Sequence, residues 1–222
     1  MDRIGTLILM APPLLFAIII HEVAHGWMAL RFGDPTARDA GRLTLNPLPH
    51  IDLFGTIIVP LLLFLSNTGF LFGWAKPVPV NPYNLRDPEK QMMWVSAAGP
   101  GANMIMAFGC GTIIRILSLM TGGLQTASPV VAVTVTMMMY GMWWNLVLAC
   151  FNLIPIPPLD GSKILMRFLP PKYEYYMMQM QSMGMFLLIG IIMIGSALNI
   201  PILGLIIHPF VSFFSFLFAG GF

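Results

Sequence analysis

Charge is scarce in this chain. Its 222 residues include 11 lysines and arginines and 9 aspartates and glutamates, so 9% are charged, where a soluble domain carries roughly 25%. So few charges cannot cover a water-facing surface, which argues against an ordinary soluble protein. There is no basic run and the net charge is only +2. That leaves no footprint for a nucleic-acid partner and no polybasic patch for lipid head groups. Cysteine is nearly absent, and Cys110 and Cys150 both lie inside apolar segments. They read as small packing residues rather than as a disulfide framework. Histidine is rare too, with four in the chain, so a close pair of them carries information.

What the chain has instead is apolar length. Hydrophobic residues make up 57% of it and the mean hydropathy is +0.82. Apolar segments run over 4–32, 53–72, 92–120, 129–154, 178–197 and 202–219, and a bilayer crossing needs about 20 apolar residues. Inside lipid the backbone must satisfy its own polar groups, so these segments are expected to be helices. The fold class is therefore all-α and polytopic, with five to six apolar helical segments in a single membrane domain over 1–222. Its core is expected over roughly 4–167, with two accessory helices over roughly 178–219. The first segment reads as a retained helix kinked at Pro12 and Pro13. It is longer than a signal-peptide core and no small-residue cleavage site ends it.

Charge placement sets the orientation. Arg31, Arg38, Arg42, Lys76, Arg86 and Lys90 flank the second segment, and Lys163, Arg167 and Lys172 follow the fourth. The positive-inside rule puts all of them on the cytoplasmic side. Segment 53–72 can then make no simple crossing, and a re-entrant or short β-like element is expected there. Gly55, Pro60 and the turn at 66–69 suit one. On hydropathy alone an ordinary crossing serves equally well.

His21-Glu22-Val23-Ala24-His25 fits H-E-x-x-H. On a helix, positions i and i+4 share a face, so both imidazoles can reach one ion. A catalytic Zn²⁺ takes about three protein ligands and keeps a position for water. Glu22, beside the pair, is the candidate base for that water. Ionisable groups inside a span are costly and usually functional. The competing reading is a buried polar network that only packs helices. A third ligand must come from elsewhere. Asp160 follows Pro155, Pro157 and Pro158, which break the fourth helix, and precedes the permissive Gly161. It either turns toward a metal or caps the next helix. His50, Asp52, Asp39 and Glu174 are its rivals.

HEVAH at 21–25, AAGPGAN at 97–103 and NLIPIPPLDG at 152–161 resemble the site-2 protease family of intramembrane zinc metalloproteases. GRLTLNPLPHID at 41–52 and GWAKPVPVNP at 73–82 are similar to its short bacterial members. The resemblance reaches to about Arg167. It implies that His21, His25 and Asp160 hold one zinc per chain and that Glu22 is the base. It also implies roles near the site for Asn152 and Asn103, as candidate substrate-binding or oxyanion groups. No appended PDZ or CBS domain is expected. The implied location is a bacterial plasma membrane, with the site nearer the cytoplasmic face.

The expected substrate is a single-span membrane protein whose helix must unwind before attack. Segment 73–82, with Val78 and Val80 between prolines, could offer such a substrate a strand edge, or be a plain connection. The alternative function is a membrane metal-ion transporter or metal-binding protein, although a transporter would spread polar residues over several helices. Several features take the bland reading. The 19 methionines are adaptable apolar packing, and His208 and Asn145 pack. Trp74, Trp143 and Trp144 anchor at the interface, and Arg115 snorkels.

Overall fold

A computed structural model describes residues 3–59, 61–62, 75–121, 128–198 and 200–220. Every regular element among them is helical, and no strand occurs among the described residues. The first helix, α1, covers Arg3–Arg31 and carries Pro12 and Pro13 in its interior. It ends where Gly33 turns to a φ of 110°. The Asp34 N–H reaches back to the Ala29 carbonyl at 3.0 Å and the Gly33 N–H to Leu30 at 3.1 Å. This is the Schellman closure that a glycine permits. A single turn, α2 (Thr36–Asp39), follows. Gly41 closes it in the same way at a φ of 65°.

Helix α3 covers Pro88–Met120. Asp87 caps it by accepting from the Lys90 N–H at 3.2 Å, and Pro88 takes the first position, where a missing N–H costs nothing. Helix α4 covers Pro129–Leu153. The prolines at 155, 157 and 158 then keep the chain out of helix until α5, Asp160–Met166. Helices α6 (Glu174–Ala197) and α7 (Ile202–Ala219) complete the chain.

The helices α1, α3, α4 and α7 contain stretches long and apolar enough to cross a membrane. Among the described residues of α6, Phe186–Gly195 form a shorter apolar stretch. Ile105, Leu119, Val130, Phe213 and Phe216 are all more than 60% exposed on these helices. In water so much bare apolar surface would be a liability, whereas in lipid it is the solvent-facing side.

Helices α1, α3 and α4 pack against one another in all three pairings. Their register follows from side-chain partners. His25 meets Val95 on α3, and His21 meets Asn103, so α1 and α3 run antiparallel. Asn103 in turn meets Asn145, and Cys110 lies against Gly141, so α3 and α4 are antiparallel as well. Helices α1 and α4 therefore end on the same side, and the proline-broken turn after α4 emerges beside the end of α1. The connection from α1 to α3 likewise starts and finishes at that one end.

Segment 53–72, where the re-entrant or β-like element is expected, is described only in part. Leu53–Ile58 form a single π-helical turn capped by Asp52, which accepts from the Gly55 N–H at 2.7 Å. Residues 63–72 and Trp74 lie outside the described residues. Helix α7 closes over α3 and α4. Val211 and Ala219 pack there against Ala107, Cys110, Ile114, Val135, Met142 and Leu146. Helix α6 covers the broken turn, with Leu188 against Ile154 and Leu159.

Candidate metal centre

The two histidines of α1 lie one helical turn apart, with ring centroids separated by 4.6 Å and planes at 87°. Their Nε2 atoms are 3.0 Å apart. Asp160, the first residue of α5, brings Oδ2 to 3.2 Å from His21 Nε2 and 3.1 Å from His25 Nε2. Among the described residues these are the three that converge as potential metal ligands. His21 and Asp160 are buried, at 6% and 8% exposure.

The far side of each imidazole decides where its proton sits. His25 Nδ1 is 2.7 Å from the Val95 carbonyl, which can only accept, so Nδ1 carries the hydrogen. His21 Nδ1 is 2.6 Å from Asn103 Oδ1, another acceptor. Each neutral ring therefore turns the lone pair of Nε2 inward. Asp160 Oδ2 is buried and has no hydrogen-bond partner besides these two Nε2 atoms, and in neutral rings they have no proton to give. Three lone pairs face each other across about 3 Å, and a cation between them removes the repulsion. Tetrahedral zinc ligands at about 2.0–2.1 Å would lie roughly 3.3 Å from each other. Two imidazole nitrogens and a carboxylate oxygen at the observed separations fit that ion.

Local packing makes the approach possible. Gly99 of α3 lies flat on both imidazoles. A Cβ there would run into His25 Nε2 and stand 2.7 Å from His21 Cε1. A side chain on Gly161 would strike the Leu153 carbonyl and come within 2.6 Å of that of Ile154, so glycine lets α5 fold tightly back on α4. Gly184 of α6 does the same against the Pro157 carbonyl. Leu159, not Asp160, holds the N-cap position of α5, and no side chain caps that helix. The carboxylate of Asp160 points instead at the histidines.

Glu22 is held by backbone. Its Oε2 accepts from the Val78 N–H at 2.7 Å, the one donor between two prolines that have none. The segment carrying Val78 is fastened at three further points. Arg42 Nη2 donates to the carbonyls of Lys76 at 2.6 Å and Pro77 at 3.4 Å. The Lys76 N–H donates to the His50 carbonyl at 3.0 Å. Asp34, fully buried, accepts from the Asn81 N–H at 2.7 Å and Asn84 Nδ2 at 2.8 Å, and also from the Thr36 N–H and hydroxyl. Burial pushes the Asp34 carboxyl up, but the donors from Thr36, Asn84 and Asn81 outweigh it and hold it below its ordinary value. Gly26 gives this segment room, since a Cβ there would be 2.8 Å from Val78 Cγ1.

The other candidates lie elsewhere. His50 Nε2 donates to the Thr44 carbonyl at 2.9 Å. Asp52 caps the π-helical turn, and Asp39 pairs with Arg38 on the surface. The side chain of Glu174 is outside the described residues. Asn152 Nδ2 donates to the Leu148 carbonyl of its own helix at 3.0 Å. Asn103 is fully buried, and Asn145, read from sequence as packing alone, is joined to it by a 2.7 Å hydrogen bond. A hydrogen bond between helices 42 residues apart leaves no sequence signal beyond an asparagine in an apolar run.

A helical membrane protein with two histidines and an aspartate closing on one point, and a glutamate beside them, has the build of a membrane metallohydrolase. The comparison with known families agrees. Residues 9–193 match the model of peptidase family M50. The chain belongs to that family, the site-2 type of zinc metalloprotease. It is 38% identical over 194 residues to "Putative zinc metalloprotease YwhC" of Bacillus subtilis (strain 168), covering 86% of this chain and 83% of the relative. It is 30% identical over 200 residues to "Putative zinc metalloprotease Rip2" of Mycolicibacterium smegmatis, covering 90% and 71%. No solved structure matches it.

Proposed function

We propose that this chain is an intramembrane zinc endopeptidase that cuts peptide bonds in or near the transmembrane segments of single-span membrane proteins. One zinc per chain sits on His21, His25 and Asp160. The site lies nearer the cytoplasmic face of a bacterial plasma membrane, because the basic residues gather at the end of the bundle where α1 stops and α3 begins. On this reading segment 53–72 re-enters from that side. The observation that carries the proposal is the convergence of three inward lone pairs within 4.8 Å of one another, with Glu22 next to them in the chain.

Zinc held there would polarise the scissile carbonyl and bring a water's pKa down toward about 7. Glu22 takes the proton of the attacking water as its oxygen bonds to the carbonyl carbon. As the carbon–nitrogen bond breaks, Glu22 passes that proton to the leaving amine. The Val78 N–H fixes the rotation of the carboxylate during both transfers. Asn152 spends one amide hydrogen on the Leu148 carbonyl and has a second for the oxyanion. The segment carrying Val78 and Val80 would receive the unwound substrate as an added strand.

Glu22→Gln tests the reading. The variant should keep zinc and lose cleavage of a membrane-embedded model peptide. Full cleavage by it would remove Glu22 as the base, and zinc-dependent ion flux without cleavage would favour a transporter.

A further inference from the structure

Asn145 sits on α4, inside the membrane and only 3% exposed. We infer that it is a positioning residue which, through Asn103, sets the tautomer of His21 and so the affinity of the zinc site. This rests on the zinc reading above.

Each proton in the chain of contacts has one possible place. Asn145 Nδ2 donates to the Gly141 carbonyl at 2.8 Å, and a carbonyl can only accept. Asn145 therefore turns Oδ1 toward α3. There it accepts from Asn103 Nδ2 at 2.7 Å, while the same Nδ2 donates to the Ala17 carbonyl of α1 at 3.0 Å. Both amide hydrogens of Asn103 are then in use, and only its Oδ1 is left for His21 Nδ1 at 2.6 Å. The ring must carry its hydrogen on Nδ1 and point a bare Nε2 at the metal position. Two backbone carbonyls, on α4 and α1, thus dictate which nitrogen of His21 is a ligand.

Without the acceptor on Asn145, only the Ala17 carbonyl orients the Asn103 amide. A flipped amide would offer N–H to Nδ1, draw the lone pair to that side and push the ring proton onto Nε2, where zinc has to bind. Groups behind a metal-ligating imidazole commonly govern affinity by about 10–100-fold. The bland reading is that the two asparagines only join α3 to α4, as polar pairs in membranes do. That reading predicts a loss of stability and no particular effect on zinc.

A double-mutant cycle on the zinc dissociation constant separates the two. The full chain in detergent would be titrated against a zinc chelator of known affinity, as wild type, Asn145→Leu, Asn103→Ala and the double variant. Asn145→Leu should weaken zinc about tenfold, and the double variant should bind no more weakly than Asn103→Ala. Asn145→Asp should stay within a few-fold of wild type. A carboxylic acid kept neutral by burial can donate to Gly141 and accept from Asn103. Met142→Ala, one turn away and buried, should lower the melting temperature and leave zinc affinity alone. Asn145→Ala serves if the leucine variant does not fold. An unchanged affinity in Asn145→Leu, or effects that multiply in the double variant, would overturn the proposal. Zinc held as tightly by His21→Ala would instead refute the site itself.

Discussion

Between Val95 and Asn103, helix α3 meets its neighbours through a carbonyl on His25, a bare glycine under two imidazoles and an amide on His21. A turn further on, from Ala107 to Ile114, the same helix meets α4 and α7 through Ala107, Cys110 and Ile114. The α3 residues named in each stretch are buried, and they serve different ends. In the apolar half any well-packed set of side chains fills the space, because apolar packing is adaptable. In the polar half each group has a fixed direction of donation, and a buried group left without its partner costs roughly 1–3 kcal/mol. Changes of similar size should therefore act on the metal in one half and on stability alone in the other.

The most severe break of that contrast is Asp160→Ala. It removes the proposed third ligand and leaves only the two Nε2 lone pairs to hold an ion. Purified protein should lose zinc by elemental analysis, and cleavage should fall to background. Zinc retained at one per chain would mean that another residue supplies the third ligand.

A glycine pair sharpens the comparison. A Cβ on Gly99 would collide with both histidine rings, whereas one on Gly109, ten residues along the same helix, meets nothing within 4 Å. Gly99→Ala should weaken zinc binding by at least about tenfold, the scale on which disturbed ligand surroundings act. Gly109→Ala should leave it unchanged and slightly favour the helix. Equal effects in a chelator titration would show that Gly99 is not a steric requirement of the site.

How much of this was legible in the sequence depends on how far apart the partners lie. The apolar runs marked α1, α4 and α7 to within a residue or two, because length and hydropathy are local properties. The histidine pair was legible for the same reason, since four residues is one helical turn. Asp160 was harder. Its prolines announced a break, but whether the carboxylate capped a helix or faced a metal depended on α1 and α4 being parallel. Asn103 and Asn145 were visible as polar residues in apolar helices, yet their mutual hydrogen bond exists only in the packed register. The hold on Glu22 left no trace at all, because a backbone N–H looks the same at every residue.

That hidden contact can be tested without touching a side-chain donor. Val78→Pro deletes the N–H that Glu22 accepts, in a segment already rich in proline. Turnover of a membrane peptide should fall roughly tenfold or more, part of the roughly 100-fold or more that a positioned base contributes, while zinc stays bound. Unchanged turnover would show that the Val78 contact does not orient the carboxylate.

The smallest expected effect concerns the clasp that holds this segment in place. Asp34 accepts from Asn81, Asn84 and Thr36, and these donors keep its carboxyl below the ordinary value of 3.8. A carboxyl lowered in the folded state stabilises that state above its unfolded pKa and loses the effect as pH falls through the folded one. The clasp should therefore be constant from neutral pH to about 5 and loosen only in acid, below the ordinary carboxylate range. Asp34→Asn puts an amide N–H₂ where donors already point, which costs about 1–3 kcal/mol at neutral pH and removes the acid step. Hydrogen exchange at the Asn81 amide, which donates to Asp34, corrected for the intrinsic effect of pH, reads both. Wild type should show protection that drops in acid, and the variant lower protection with no drop. The same acid step in both proteins would assign it to a different carboxyl and leave Asp34 as packing.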